Sequence, residues 1–187
     1  KSSAAVTLLT ESILNEVKGS PDSVLHIGPN FTKSQGGDYE KGICTFQYYN
    51  DSDYPMIDTQ VGIVGVRYID FPEWGRRLGD VRPKRGGELT GLRVTLPKEE
   101  NKISEIQFSI DCRSVTLWQT IYFQWNGKAW ISDATIFREV DGKQVYVRDL
   151  RPNSPFASIV EQDKKNALEK WEAEKAAEKE EMARNKN

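Results

Sequence analysis

The sequence predicts an α+β fold: an N-terminal helix packed on a twisted, mainly antiparallel sheet of about six or seven strands, with an extended charged C-terminal helix. Three observations predict it. Between Ile103 and Leu150 four β-like runs follow one another: ISEIQFSIDC, VTLWQTIYFQW, AWISDATIFREV and QVYVRDL. Asn126-Gly127 and Asp141-Gly142 separate the last three, and both pairs tolerate the positive φ of a tight hairpin turn, so the stretch reads as an antiparallel meander. Over residues 4–18, Val6, Leu9, Ile13 and Val17 recur at helical steps with Leu14 beside them, giving one apolar face that fits against a sheet. From Ala157 to Asn187 the chain consists almost wholly of alanine, glutamate, lysine and other strong helix formers.

The first helix can be capped by Ser2 or Ser3 and is stopped by Gly19 and Pro21, because glycine accepts a left-handed cap and proline cannot continue a helix. Val24, Leu25 and Ile27 form a short apolar cluster ahead of a loop. Residues 43–49 alternate as a strand, ended by the turn formers Asn50 to Pro55. Residues 60–71 are a long β-branched run in which Gly62 and Gly65 mark a bend. Residues 89–96 supply another strand, with Leu92, Val94 and Leu96 on one face. Pro152 and Pro155 mark a boundary, dividing a globular domain (1–153) from a charged helical extension (154–187). In that extension Glu161 with Lys165, and Glu180 with Arg184, are spaced for ion pairs along a helix, while the apolar face is thin: Val160, Leu168, Trp171 and Met182.

A chain of 187 residues is of one-domain length. Its formal net charge of -2 gives no global attraction to nucleic acid or an anionic membrane, and no run of 18 apolar residues is present to span a bilayer. Two cysteines, Cys44 and Cys112, each lie in a strand-like run; they read either as a disulfide or as two buried thiols. The chain opens on Lys1-Ser2-Ser3 rather than methionine. With the cysteine usage, this leads us to expect an exported protein, periplasmic, cell-envelope or secreted, and is compatible with a lipid anchor upstream of Lys1.

No motif demands a cofactor or metal, since two cysteines and the single histidine are too few ligands for zinc. His26, between Leu25 and Ile27, reads as a structural histidine rather than a catalytic base, because nothing nearby resembles a nucleophile turn. Glu105, Asp111 and Asp133 are the strand carboxylates that acid–base chemistry on sugars could use, yet strand carboxylates more often face water. Two glycosylation sequons, Asn30-Phe31-Thr32 and Asn50-Asp51-Ser52, occur at about chance frequency. The clearest local anomaly is charge. Residues 67–98 hold eight Lys/Arg against four Asp/Glu, and Arg76, Arg77, Arg82, Lys84 and Arg85 cluster in a glycine-punctuated loop that reads as a solvated surface loop or as one able to grip phosphates, an acidic partner or anionic headgroups. In residues 116–125, Trp118 and Tyr122 share one strand parity, Phe123 and Trp125 the other, as in a central strand covered on both faces. The phrase Phe123-Gln124-Trp125-Asn126-Gly127-Lys128-Ala129-Trp130 resembles hairpins of many unrelated bacterial envelope proteins; it spans eight residues and marks no family.

These features favour a non-catalytic binding or assembly subunit, not an enzyme. It would contact a protein partner or multi-subunit complex through the C-terminal helix, anchored by Leu168 and Trp171, and through the basic loop. Two other readings stand beside it. One is an inhibitor or immunity-type protein that binds one partner through its loops. The other is a small-ligand-binding or hydrolytic domain with a pocket between helix and sheet.

Overall fold

The computed structural model describes residues 11, 14, 19–31, 41–69, 73–140 and 143–184, with side chains at 143, 167, 170, 171, 174, 175 and 178–184 excepted. Among the described residues nine strands run Leu25–Asn30 (β1), Ile43–Asn50 (β2), Met56–Arg67 (β3), Gly75–Val81 (β4), Gly86–Thr95 (β5), Ile103–Asp111 (β6), Thr116–Trp125 (β7), Trp130–Val140 (β8) and Lys143–Arg148 (β9), followed by a helix, Ala157–Arg184 (α1). They form two antiparallel sheets. Sheet A has the order β1-β2-β5 and sheet B the order β4-β3-β6-β7-β8-β9.

This overturns the α+β expectation. Among the described residues the molecule is mostly β, in two sheets rather than one. Residues 4–18, where the N-terminal helix was expected, lie outside the described residues except for Glu11 and the exposed Leu14. Among the described residues, helical cover on sheet B comes from the C-terminal end of the chain. Phe156 and Val160, at the start of α1, are buried against Tyr122 of β7, with Phe156 and Tyr122 stacked at 5.8 Å between ring centroids. Burial of Ile103, Ile131 and Leu150 around them completes a small outer cluster.

The main core lies between the sheets. Inward positions follow strict alternation: Ile106, Phe108 and Ile110 on β6, Leu117, Ile121 and Phe123 on β7, Ala134 and Ile136 on β8. Facing them are Leu25 and Ile27 of β1, Cys44 and Phe46 of β2, and Leu89, Leu92 and Val94 of β5. Phe46 meets Phe108 and Phe123 across the gap at 5.6 and 6.3 Å, edge to face. Each such fully buried phenylalanine is worth roughly 1.5–3 kcal/mol relative to exposure. β7 accordingly has aromatic rings on both faces, Phe123 toward sheet A and Tyr122 under α1.

The meander of β6 to β9 forms as its alternation predicts. The Asn126-Gly127 connection is a four-residue loop rather than a two-residue turn. Asn126 Oδ1 accepts hydrogen bonds from the Lys128 and Ala129 amides at 3.0 and 2.7 Å, and Gly127 takes φ +85°. Asp141-Gly142 lies outside the described residues. In β3 the register slips between Ile63 and Gly65, so the bend expected from its glycines is a β-bulge.

Cys44 and Cys112 are free thiols, not a disulfide. Cys44 pairs with Val94, at the opposite end of β2 from Asn50. Cys112 lies at the Asn50 end: Arg113 bonds to Ile57, and Ser114 to Ser20. Asn50 lies six positions along β2 from Cys44, about 20 Å, whereas a disulfide needs Cα atoms within about 7 Å. Burial raises the Cys44 thiol pKa well above its ordinary value.

Two buried amides tie the sheets together. Gln119, fully buried on β7, reaches across to the outer edge of β1: its Nε2 donates to the Ile27 carbonyl at 2.6 Å and its Oε1 accepts from the Ile27 amide at 2.8 Å. The side chain thus replaces a neighbouring strand at that point. Asn50, also fully buried, donates from Nδ2 to the carbonyls of Tyr54, Val81 and Arg82 at 3.0, 3.1 and 3.3 Å. Its Oδ1 accepts from the Ser52 amide and hydroxyl, and its backbone bonds to Arg85 and Lys84. The Asn50 sequon is therefore closed to glycosylation in the folded state.

Candidate functional site

The expected basic loop divides into a strand and a turn. Arg76 and Arg77 are adjacent on β4 and point to opposite sides: Arg76 donates to the Thr90 carbonyl of β5 at 3.0 Å, and Arg77 pairs with Asp58 of β3. Arg82, Lys84 and Arg85 lie in the four-residue turn that Asn50 holds from beneath, where Lys84 bonds to the Asp51 carbonyl and pairs with Asp53 at 3.3 Å. The cations are thus exposed but not gathered into one flexible grip. Leu168 on α1 is 55% exposed and does not anchor the helix to the body; the Trp171 side chain lies outside the described residues.

A different surface collects polar chemistry. On the outer face of sheet A the register sets His26 beside Tyr49, and Tyr49 beside Gly86; the next row sets Gly28 beside Gln47, and Gln47 beside Glu88. With Pro29, Tyr48 and Gly87 these residues line an open groove of about 490 Å³. Tyr49 is 41% exposed. Two of the three glycines have a packing reason. A side chain at Gly86 would run into the Tyr48 backbone carbonyl, and one at Gly87 would meet the Tyr48 hydroxyl at 2.9 Å. Gly28 has none: among the described residues the nearest atom to an added Cβ is His26 Cε1 at 4.0 Å. Its backbone is ordinary strand, where glycine costs roughly 0.5–1 kcal/mol relative to alanine. The His26 imidazole is held below its ordinary pKa by burial and by the Arg148 guanidinium, with Asp51 opposing, so it is neutral at physiological pH, one nitrogen donating and the other accepting.

Comparison of the chain with protein-family models, curated proteins and solved structures returns no match. Function must therefore be argued from these surfaces. Among the described residues no group of three or more His, Cys, Asp or Glu is placed to hold a metal, and no helix is long and apolar enough to cross a membrane.

The groove residues come from three strands far apart in sequence, which is why sequence reading passed over them. The available signal was Gly28, a glycine inside an apolar-polar alternation, two residues after the only histidine. The strand carboxylates also depart from expectation. Asp111 is exposed and accepts from Thr116, but Glu105 and Asp133 are buried, not solvated. Asp133 accepts from the Ala134 and Arg151 amides and pairs with Arg151 at 3.4 Å. Glu105 lies near the start of α1: Arg67 bridges it at 3.2 Å to Asp163 of the helix at 3.7 Å. Among the described residues its Oε2 is buried without a hydrogen-bond partner.

This arrangement is expected to make helix docking pH-dependent. Burial raises the Glu105 and Asp163 pKa values above the ordinary carboxylate range; the shared Arg67 opposes the rise in both, and Tyr122 also opposes it in Asp163. A carboxyl whose folded pKa is raised contributes stability that is full below its unfolded pKa and is lost as pH climbs through the folded value. Protection of the α1 amides 157–164 against hydrogen exchange, corrected for intrinsic rates, is therefore expected to be greater near pH 5 than at pH 8. Glu105→Gln should flatten that slope, and an unchanged slope would dismiss the interface carboxylates as its source. Asp133 and Asp149 act in the opposite sense at lower pH. Burial raises the Asp133 pKa, but bonds from Ser154, Ala134 and Arg151 outweigh it; Asp149 is lowered chiefly by Lys164, 3.0 Å away. Their contribution disappears as pH falls below the ordinary carboxylate range.

Proposed function

We propose that the protein is a non-catalytic binding module whose recognition surface is the outer face of sheet A. The observation that carries this reading is the space over Gly28 that is open among the described residues, ringed by His26, Gln47, Tyr49 and Glu88. A strand glycine with no packing or dihedral need, at the floor of a groove, leaves room for another molecule. The ring offers hydrogen-bonding groups and an aromatic face on a rigid three-stranded support, the usual setting for an orienting site.

A second reading, an assembly subunit that meets a protein partner through α1, is favoured by the exposure of Leu168 and of every described side chain from Lys165 to Ala177. One experiment separates the two. Full-length protein, the Tyr49→Ala/Glu88→Ala variant and a chain ending at Lys164 are each used to capture material from source-cell extract. Both substituted residues are exposed, so the variant is expected to keep the wild-type melting temperature. Species lost with the double variant but kept by the shortened chain support the sheet A face. The reverse pattern supports assembly through α1 and overturns the groove reading, and capture unaffected by either change overturns both.

A further inference from the structure

We propose that the groove on the outer face of sheet A binds a neutral saccharide, an inference that rests on reading this face as the recognition surface. A sugar hydroxyl both donates and accepts, so a saccharide site needs donors and acceptors interleaved at short spacing, with a flat ring against which the C–H face of the pyranose can lie. Gln47, at the centre of the groove, presents an amide with both capacities, and its register neighbour Glu88 accepts through two oxygens, the geometry that suits adjacent hydroxyls. His26, neutral in its half-buried setting, adds one donor and one acceptor on the other side of Tyr49. Tyr49 supplies the exposed ring, and its register neighbour Gly86 adds no side chain beside it.

The same inventory disfavours other ligands. An anion would meet the Glu88 carboxylate, which lines the groove, whereas Arg148, close enough to act on His26, is not among the lining residues. An ammonium ligand would satisfy Glu88 and the Tyr49 face but would leave the Gln47 and His26 N–H donors facing a group with nothing to accept them. A purely apolar ligand would desolvate four polar side chains without replacing their hydrogen bonds. The groove volume of about 490 Å³ falls within the size range of small-ligand sites, roughly 300–1,000 Å³.

The test uses the full chain, ¹⁵N-labelled, titrated separately with maltotriose, cellotriose, chitotriose, choline and sodium sulfate and read by amide chemical shifts. One or more of the neutral trisaccharides is expected to shift the amides of residues 26–28, 47–49 and 86–88 and few others. Gly28→Asn, whose Cβ meets nothing nearer than His26 Cε1 at 4.0 Å among the described residues and should leave the fold intact, is expected to abolish the shifts, and Tyr49→Ala to weaken binding roughly tenfold. Retention of saccharide binding in both variants would overturn the proposal. So would the absence of any saccharide response, or stronger binding of choline or sulfate at these amides. Failure here combined with loss of a captured species in the Tyr49→Ala/Glu88→Ala variant would leave the binding face standing and remove only the saccharide.

Discussion

Asn50→Asp is expected to be the most damaging single-atom change in the molecule, lowering stability by about 4 kcal/mol or more at neutral pH. The substitution preserves shape but exchanges the Nδ2 donor for a carboxylate oxygen facing the carbonyls of Tyr54, Val81 and Arg82. Two N–H donors shared among three carbonyls become three repulsive contacts around a fully buried charge. The site relieves itself only by protonating, so the variant should recover part of its loss as pH falls toward 5. Asn50→Ala, which removes the bonds without adding charge, should cost less, roughly 2–4 kcal/mol, with no such recovery. Urea denaturation of the three proteins at pH 5 and pH 7.5 gives the comparison. If Asn50→Asp lies within 1 kcal/mol of wild type at pH 7.5, Asn50 is not the hub that joins the β2–β3 and β4–β5 connections.

Gln119→Leu is expected to lower stability by about 3–5 kcal/mol, equivalent to a fall in melting temperature on the order of 10 °C for a chain of this size. Leucine fits the volume and adds apolar contact, so simple core-packing logic predicts gain. What decides against it is the pair of Ile27 backbone groups, which would lose both hydrogen-bond partners in a buried site where water does not replace them. Hydrogen exchange localises the effect: the Ile27 amide should lose protection first, ahead of the β6 and β7 amides. A Gln119→Leu protein as stable as wild type would mean that β1 is held by its apolar side chains alone.

The two amides show how far the sequence could be read. Alternation along ISEIQFSID and TLWQTIYFQW identifies the strands and their inward faces, because a period of two is imposed by the pleat itself. The same alternation places Gln119 inward, between Leu117 and Ile121, and a polar residue at an inward position is the mark of a buried bond. Its partner Ile27 lies 92 residues away and carries no mark of the pairing. Asn50 reads as a turn former, which it is; that it organises two turns depends on β4 and β5 returning beside it.

β1 and β4 were missed for a common reason. Leu25–Asn30 contains His26, Gly28 and Pro29, and Gly75–Val81 contains two glycines and three charged residues, so both resemble loops. Each is at a sheet edge, where one backbone side needs no ladder and charged side chains are tolerated and even protective. The division into two sheets was illegible because β2 pairs with β5 across the intervening β3 and β4, and nothing local specifies that choice. The candidate groove shares this obscurity, since it exists only after β1, β2 and β5 have come together.

The Gln119 bridge has a further consequence for the order in which the chain can be completed during synthesis. β1 and β2 leave the ribosome early and can close a hairpin, but β5 and the bridging glutamine follow much later. At about 5–20 residues per second, the 92 residues between Ile27 and Gln119 take roughly 5–18 s to emerge. For that interval the outer edge of β1 carries unpaired amide and carbonyl groups beside Leu25 and Ile27, a template for pairing with another nascent chain. The same side chain that finishes the native edge therefore ends the period in which the protein is most exposed to misassembly.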